Sequence, residues 1–328
     1  MSPVSINDSI SERARKLEKC EHFVLKLVEQ GGPSEPDYPL LDACTREVQT
    51  LAAQGVFSPA DIAKFREAFG DALSLATLQG FTFLKPHGYA GDYEIIDLIY
   101  RQHISSDSRY ANWDRYYHYL TASRAVRNRK SYFHGLLDCH YSRKQPLHVL
   151  KIASGPGRSM YEWLSKHPDA DIQFDCIDID PAAIAYATDL NHAFLDRITI
   201  SQKNVMKFRT QKRYDLIWAA GIFDYFNDAA FRYLLKRLLP ALESDGEIVI
   251  GNFSTDNPSR PGMEMVGDWY LQHRTRDILF SLAKECGIHG ADVEIGSEPE
   301  GINLFMHVAC RTATTVAYNS TKETSHIG

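Results

Sequence analysis

The sequence lacks the features that mark secreted, membrane-spanning and nucleic-acid-binding proteins. Its six cysteines are scattered, with no Cys-x-x-Cys pair and no His pair at ligand spacing, so neither a disulfide framework nor a metal site is indicated. It has no run of apolar residues long enough for a membrane span, and its first residues have no apolar stretch typical of a signal peptide. The formal charge of −6 argues against nucleic acid as a partner. These absences predict a cytoplasmic protein that acts on small molecules.

Length and composition are those of an ordinary globular protein. The chain has 328 residues, of which 44% are hydrophobic and 24% are charged. Such a length favours two domains, and such a hydrophobic fraction is enough for a sizeable core.

A glycine turn followed by an acid is the most informative pattern. The segment His148-Val-Leu-Lys-Ile-Ala-Ser-Gly-Pro-Gly-Arg158 predicts a buried strand that enters a glycine turn, with a helix from Met160 to Lys166 behind it. A second apolar strand ends at Asp178, 21 residues after Gly157. Glycines let a backbone approach a ligand closely, and an acid at the end of the next strand can accept both hydroxyls of a ribose. The pattern therefore predicts a nucleoside site, in which a side chain added at Gly157 would enter the ligand pocket.

The residues after Gly157 are bulky and include no third glycine, which favours a ligand without a pyrophosphate. The turn and the acid resemble those of class I S-adenosylmethionine (SAM) methyltransferases, whose first motif ends in a similar Gly-x-Gly. Two positions depart from that family, which usually has an acid where Lys151 stands and often a glycine where Ala153 stands.

The resemblance implies SAM as the cofactor. It implies that Asp178 contacts the ribose hydroxyls and that Asn204 reads the adenine amino group. The cofactor site predicted in this way also includes Ser154, Gly155, Gly157, Ile179, Val205, Gly221 and Arg127.

Strands alternate with helices from about residue 146 to residue 312, which predicts a doubly wound parallel sheet with ligands at the carboxyl ends of its strands. The late strands Ala291–Ile295 and Asn303–Cys310 have no long helix between them and are expected to be antiparallel. The predicted fold class is α/β, a Rossmann-like seven-stranded methyltransferase sheet with a reversed last strand. The other predicted elements are strands Arg197–Ser201, Tyr214–Gly221 and Gly246–Phe253, and helices Ala182–Phe194, Asp228–Leu239 and Tyr270–Cys286.

Residues 1–145 are predicted to form an all-helical N-terminal domain that acts as a lid or substrate domain. Residues 146–312 would form the SAM-binding domain, and residues 313–328 a flexible tail. The predicted N-terminal helices are Ser5–Gln30, Tyr38–Ala53, Pro59–Thr77, Glu94–His103, Asn112–Thr121 and Arg124–Cys139, with a break at Gly80.

The stretch His87-Gly-Tyr-Ala-Gly-Asp-Tyr93 predicts a tight loop. One interpretation is a turn between helices in which Asp92 caps the second helix. The other is a lid on the reacting centre with Tyr89 as its functional side chain. Nine of the 17 tyrosines lie between Tyr89 and Tyr141. This density favours the second interpretation, because the faces of tyrosine rings attract a sulfonium cation.

This loop, together with Ser154-Gly-Pro-Gly-Arg158 and Gly221-Ile-Phe-Asp-Tyr225, resembles a bacterial group of methyltransferases with a helical N-terminal domain. That group includes enzymes that make 3-hydroxypalmitic acid methyl ester, a quorum-sensing signal, so the resemblance implies a role in secondary metabolism. Some enzymes of similar build instead cyclise SAM to azetidine-2-carboxylate.

A carboxylate acceptor is already ionised at neutral pH and needs orientation but no general base, whereas an amine or hydroxyl needs a base. Arginine holds a carboxylate by two parallel hydrogen bonds. The candidates are Arg127, Asn128 and Arg129 before the first strand, and Arg260, His273 and Arg274 beyond the fifth. The predicted catalytic residues are Tyr89, Asn128 and Tyr225.

Three functions remain open from the sequence. The first is O-methylation of a small or lipid-like carboxylate or hydroxyl compound. The second is cyclisation of SAM with release of methylthioadenosine, and the third is SAM binding without catalysis. A homodimer also remains open.

Overall fold

The computed structural model describes residues 6–309, with side chains from Arg13 onward. Seven strands form one sheet in the order β3-β2-β1-β4-β5-β7-β6. Neighbouring strands among the first five are parallel, whereas β7 is antiparallel to both β5 and β6. The predicted Rossmann-like sheet with a reversed last strand is therefore confirmed. The strands are β1 Leu147–Ile152, β2 Ile172–Asp178, β3 Ile198–Gln202, β4 Tyr214–Ala220, β5 Leu242–Phe253, β6 Val293–Ser297 and β7 Asn303–Ala309.

The central strands are continuous apolar runs because helices cover both faces of the sheet. In β4 every residue from Tyr214 to Ala219 is buried, and in β1 only His148 is exposed. The helices are α1 Ile6–Glu29, α2 Tyr38–Ala53, α3 Pro59–Glu67, α4 Leu78–Leu84, α5 Tyr93–Tyr100, α6 Ala111–Tyr119, α7 Thr121–Arg143, α8 Arg158–Lys166, α9 Pro181–Leu190, α10 Asp228–Leu238, α11 Arg260–Met265 and α12 Arg276–Glu285.

In the N-terminal region one predicted helix was too long and one predicted break was wrong. The helix predicted over Pro59–Thr77 ends at Glu67 and is followed by a 3-10 turn, Gly70–Leu73. Gly80, predicted to break the chain, lies inside α4. A Cβ at this position would lie 2.0 Å from the Ser74 carbonyl oxygen. Glycine therefore lets α4 pack closely on the preceding turn.

The last long helix also begins later than predicted. It was expected from Tyr270, but α12 begins at Arg276, where the Thr275 hydroxyl accepts a hydrogen bond from the Ile278 amide. The segment before it is extended, and Arg274 bridges to Ser254 next to the sheet. Tertiary pairing therefore overrides the helical pattern of this segment.

The N-terminal helices and the sheet share their cores. Phe133 and Leu137 of α7 pack with Trp218 and Phe305 of the sheet. Met265 of α11 lies in the core formed by α1, α2 and α3. This packing holds the N-terminal helices against the carboxyl ends of the strands. The predicted tail, residues 313–328, lies outside the described residues.

None of the described helices combines the length and the hydropathy that crossing a membrane requires.

Candidate active site

The carboxyl ends of β1, β2 and β4 open into a cavity of about 470 Å³. The turns that follow these strands form one side, and α5, α7 and the loop at residues 89–91 form the other. Ligands of doubly wound sheets bind at this edge. Of the predicted site residues, the cavity is lined by Tyr89, Ser154, Gly155, Gly157, Asp178, Ile179, Asn204, Val205, Gly221 and Tyr225.

The glycine turn between β1 and α8 adopts left-handed backbone angles, with φ of 49° at Ala153, 57° at Gly155 and 72° at Gly157. A Cβ at Gly157 would lie 2.7 Å from Asn191 Nδ2 and 3.1 Å from the Ala187 Cβ, so it would strike α9. The expectation that it would enter the ligand pocket was wrong, because this face of Gly157 packs against α9. A Cβ at Gly155 would meet nothing within 4 Å.

The ends of β2 and β3 form one end of the cavity. The Asp178 carboxylate accepts hydrogen bonds from the Gly155 amide at 2.9 Å and the Asp180 amide at 3.1 Å. Ile179 lines the cavity while its residue is 61% exposed, which leaves an apolar surface for a flat ring. Asn204 caps the following turn by accepting from the Met206 amide. A carboxylate, an apolar side chain and an amide thus lie where a nucleoside needs them; we call this the nucleoside end.

Tyr89 lies at the nucleoside end. Its hydroxyl donates to Asp180 at 2.7 Å, and burial together with this bond raises the pKa of Tyr89. Asp92 is buried and caps α5 by accepting from the amides of Glu94 and Ile95. The loop is therefore both a capped turn between helices and part of the cavity wall. Tyr89 of this loop thus contacts Asp180, which lies two residues after Asp178, the predicted ribose carboxylate.

The end of β4 provides the opposite wall. The Tyr225 hydroxyl donates to the Ala90 carbonyl at 2.8 Å and accepts from Trp269 Nε1 at 3.0 Å, so it joins the loop to this wall. Asp224 is buried and accepts from the Phe253 amide, and its burial raises its pKa to about 6. Trp269 was not predicted as a site residue, because the segment that carries it reaches the cavity only through the tertiary fold.

The anion-binding candidates beyond the fifth strand have other partners. The Arg274 guanidinium donates to the carbonyls of Phe223 and Phe226 and to Asn252 Oδ1, so it fixes the loop that carries Asp224. Arg260 and His273, the other two candidates, are likewise bound by other side chains. Arg260 pairs with Glu264, and His273 contacts the Asn257 amide group.

The structure does not bring Arg127 or Asn128 to the cavity. Arg127 donates to the His118 carbonyl at 3.1 Å, and Asn128 donates to Glu298 at 2.9 Å. The cavity face of α7 carries Val126, Arg129, Lys130 and Phe133, which follow the spacing of one helical face. Arg127 and Asn128 lie off this face, since adjacent residues of a helix point about 100° apart.

Residues 149–246 match a family model described as a methyltransferase domain. The protein is a SAM-dependent methyltransferase. SAM is its cofactor, and when bound it supplies an activated methyl group on a sulfonium. The predictions of the enzyme class and of the cofactor are confirmed.

Solved structures similar to this methyltransferase have low sequence identity to it. A possible exported protein from Bordetella parapertussis is 18% identical, with a TM-score of 0.57 over 94% of this chain and 99% of the other, and supports the fold. An O-methyltransferase family protein from Burkholderia thailandensis is 16% identical over 59% of this chain and 61% of the other, with a TM-score of 0.45. The 1,6-didemethyltoxoflavin-N1-methyltransferase of that organism is 19% identical over 54% of this chain and 75% of the other, with a TM-score of 0.41. No curated protein matches the chain.

Two buried cations line the methyltransferase cavity. Arg129 is 7% exposed, and its guanidinium has no hydrogen bond or ion pair within residues 6–309. Lys151 is also 7% exposed; its ammonium donates to the Ser154 carbonyl at 2.8 Å, and burial lowers its pKa to about 8. The Ser154 hydroxyl is buried at the same wall and has no partner in the described part of the chain. These groups fit a ligand that brings anionic oxygens, as the amino-acid part of SAM does.

A second cavity, of about 40 Å³, adjoins the first. The two share the side chains of Val126, Phe253 and Trp269 in their walls. The second cavity extends among the N-terminal helices and α11, and most of its lining is apolar.

Proposed function

We propose that this methyltransferase O-methylates the carboxylate of a small or lipid-like metabolite. The observation that carries the proposal is Arg129, a buried guanidinium that lines the cavity and makes no hydrogen bond or ion pair within residues 6–309, while the Asp224 carboxylate acts on it only through space. A buried charge without a partner is unfavourable, so the cavity favours an anionic ligand. Arginine can hold a carboxylate in a fixed orientation through two parallel hydrogen bonds.

The charges around the cavity favour an acid over an amine as the acceptor. Arg129 and Lys151 provide two cations, one of which the α-carboxylate of the cofactor can neutralise. A carboxylate would compensate the remaining cation and the sulfonium. An amine would first have to lose a proton to a base, because an ammonium group has no lone pair to attack the methyl group. With a pKa of about 4 the carboxylate is ionised at neutral pH and needs no base.

A lipid-like acceptor is supported by the apolar surroundings. The apolar wall formed by Val126, Phe253 and Trp269 is shared with the second cavity, whose volume of about 40 Å³ has room for only the end of an apolar chain. The resemblance to enzymes that make 3-hydroxypalmitic acid methyl ester agrees with this proposal. In this arrangement Tyr225 orients the acceptor and Tyr89 covers the nucleoside.

We also propose which residues contact the cofactor. The ribose would be held by Asp178 and the adenine would lie on Ile179 beside Asn204. The remaining proposed contacts are Ser154, Gly155, Val205 and Gly221, and Arg127 is replaced in this role by the residues proposed below.

The test uses acceptors that share one chain and differ only in their head group. Purified enzyme is incubated with SAM and octanoic acid, octan-1-ol or octylamine, and products are identified by mass spectrometry. We expect a methyl ester and S-adenosylhomocysteine with the acid, and neither methyl ether nor methylamine with the others. Methylation of the alcohol or the amine but not the acid would overturn the proposal. Methylthioadenosine from SAM alone would indicate cyclisation instead.

A further inference from the structure

Lys151 is a buried cation in the wall of the cavity. It lies on β1, in register with Cys176 of β2 and Trp218 of β4, at the centre of the sheet edge that carries the glycine turn. Its ammonium is 2.8 Å from the Ser154 carbonyl oxygen, so it is attached to the turn itself. An ammonium has three donors, and this bond uses only one of them.

The Ser154 hydroxyl is a second, independent feature of the same wall. The residue is 3% exposed, and its hydroxyl oxygen has no hydrogen-bond partner in the described chain. Buried hydroxyls normally have a partner, and an isolated one in a cavity wall indicates that a ligand supplies it. The hydroxyl and the ammonium together offer donors to one anionic group.

Arg129 reaches the same cavity from α7 and lies near enough to Lys151 to act on it electrostatically. A Cβ at Gly221, at the start of the loop that carries Asp224 and Tyr225, would lie 3.0 Å from the Arg129 guanidinium. Arg129 also follows Val126 by one turn of α7, and Val126 belongs to the wall shared with the second cavity. Phe133, the next residue on this face, lies beneath the Lys151 ammonium at 5.9 Å. Along α7, Arg129 is thus on the second-cavity side of Lys151.

We propose that Lys151 and Ser154 hold the α-carboxylate of the cofactor, and that Arg129 is therefore left to select the carboxylate of the acceptor. The assignment of Lys151 rests on the cofactor alone, whereas the assignment of Arg129 rests on the proposed function. An ammonium and a hydroxyl both donate hydrogen bonds, which an anionic carboxylate accepts.

Binding of SAM and of decarboxylated SAM tests the first assignment, because the two differ only in the α-carboxylate. Dissociation constants are measured by calorimetry for the wild type and for the variants Lys151→Met, Ser154→Ala and Arg129→Met. We expect Lys151→Met to weaken SAM binding roughly ten- to hundredfold, the range for a lost hydrogen bond between charged groups. Its affinity for decarboxylated SAM should stay within about threefold of the wild type, and Ser154→Ala should weaken SAM alone by a smaller factor.

Lys151→Arg is the matched control, since it keeps the charge and should recover most of the discrimination between the two ligands. If Lys151→Met fails to fold, Ser154→Ala tests the same site in its place. If Arg129→Met removes the discrimination and Lys151→Met retains it, the assignment is overturned. Equal weakening of both ligands by Lys151→Met would also overturn it, since the lysine would then only support the turn.

The second assignment is tested by acceptor kinetics. Arg129→Met should raise the KM for octanoic acid at least roughly tenfold while SAM affinity stays within about threefold of the wild type. An unchanged KM in an enzyme that methylates the acid would overturn the role of Arg129 and leave that of Lys151 intact. If no acid is methylated at all, the proposed function fails, whereas the calorimetric result for Lys151 stands independently.

Discussion

Asp178 and Asp180 are two residues apart but have different partners. Asp178 accepts from two backbone amides and lines the cavity, whereas Asp180 caps α9 and accepts from Tyr89. We expect Asp178→Asn to weaken SAM binding at least roughly tenfold, because one charged acceptor for the ribose hydroxyls is lost. Asp180→Asn keeps a capping oxygen and should change the affinity less than about threefold. Calorimetry on both variants checks this, and equal losses would mean that Asp178 has no special role.

The two glycines of the turn should respond differently to alanine. Both have positive φ, so either substitution costs roughly 1–2 kcal/mol of backbone strain. Gly157→Ala in addition forces a methyl group against Asn191 and Ala187 of α9, and should destabilise the protein by about 1–3 kcal/mol more than Gly155→Ala does. Urea unfolding of the two variants measures the difference. Equal stability would show that α9 yields to the added methyl group.

At the scale of elements, three hydrogen bonds that involve side chains attach the loop at residues 85–92 to residues that follow strands of the sheet. Lys85 pairs with Asp268, Tyr89 with Asp180, and the Ala90 carbonyl with Tyr225. A segment held by few side-chain bonds opens locally at a cost below that of global unfolding. We therefore propose that the loop opens locally to admit a ligand while the helices around it stay folded.

Tyr89→Phe should loosen this loop selectively. It removes the 2.7 Å bond to Asp180 and keeps the ring, so amide hydrogen exchange should accelerate about three- to tenfold at residues 87–91 and remain unchanged in α5. Tyr233→Phe is the matched control, since Tyr233 is an exposed tyrosine that lies outside the loop. Unchanged exchange in the Tyr89 variant would show that the remaining contacts suffice to hold the loop.

At the scale of the whole molecule, one partly buried carboxylate joins α7 to the sheet. Glu247 on β5 accepts from His140 of α7 at 2.9 Å and from His307 of β7 at 2.7 Å. Burial opposes ionisation of Glu247, but these hydrogen bonds outweigh it and lower its pKa from 4.5 to about 2. The folded state therefore favours the ionised form more than the unfolded state does.

The resulting contribution to stability should depend on pH in one direction. It is fully present above about pH 4.5 and is lost as the pH falls towards 2, because the unfolded state takes up a proton first. The change amounts to at most about 3 kcal/mol, from 1.36 kcal/mol per pKa unit. Glu247→Gln should flatten the acid limb of the stability curve measured by urea unfolding between pH 2 and about pH 5. If the stability of the variant falls as steeply with decreasing pH as that of the wild type, Glu247 is not the cause of this loss.

Much of the fold was predictable because it follows from local patterns. The apolar run of β4 and the spacing of β2 after the glycine turn identify a buried parallel sheet, and Tyr38–Ala53 was predicted with its observed bounds. The errors came where tertiary packing decides. Gly80 lies in a helix because its missing side chain lets that helix pack against Ser74, and Arg274 bridges to Ser254 beside the sheet before the last long helix begins.

By itself, the sequence determined the sheet, its reversed last strand, the enzyme class and the cofactor. Strands and turns are determined by patterns a few residues long. In a parallel sheet the carboxyl ends of the strands meet at one edge, so these patterns also place the ligand site. Only the tertiary structure decided which side chains face the cavity. It turned Arg129 inward and its neighbours Arg127 and Asn128 outward, and it used Arg274 to fix a loop. It also brought Trp269 to Tyr225. The physical reason is that the direction of a side chain depends on how helices pack across the sheet, which no local pattern specifies.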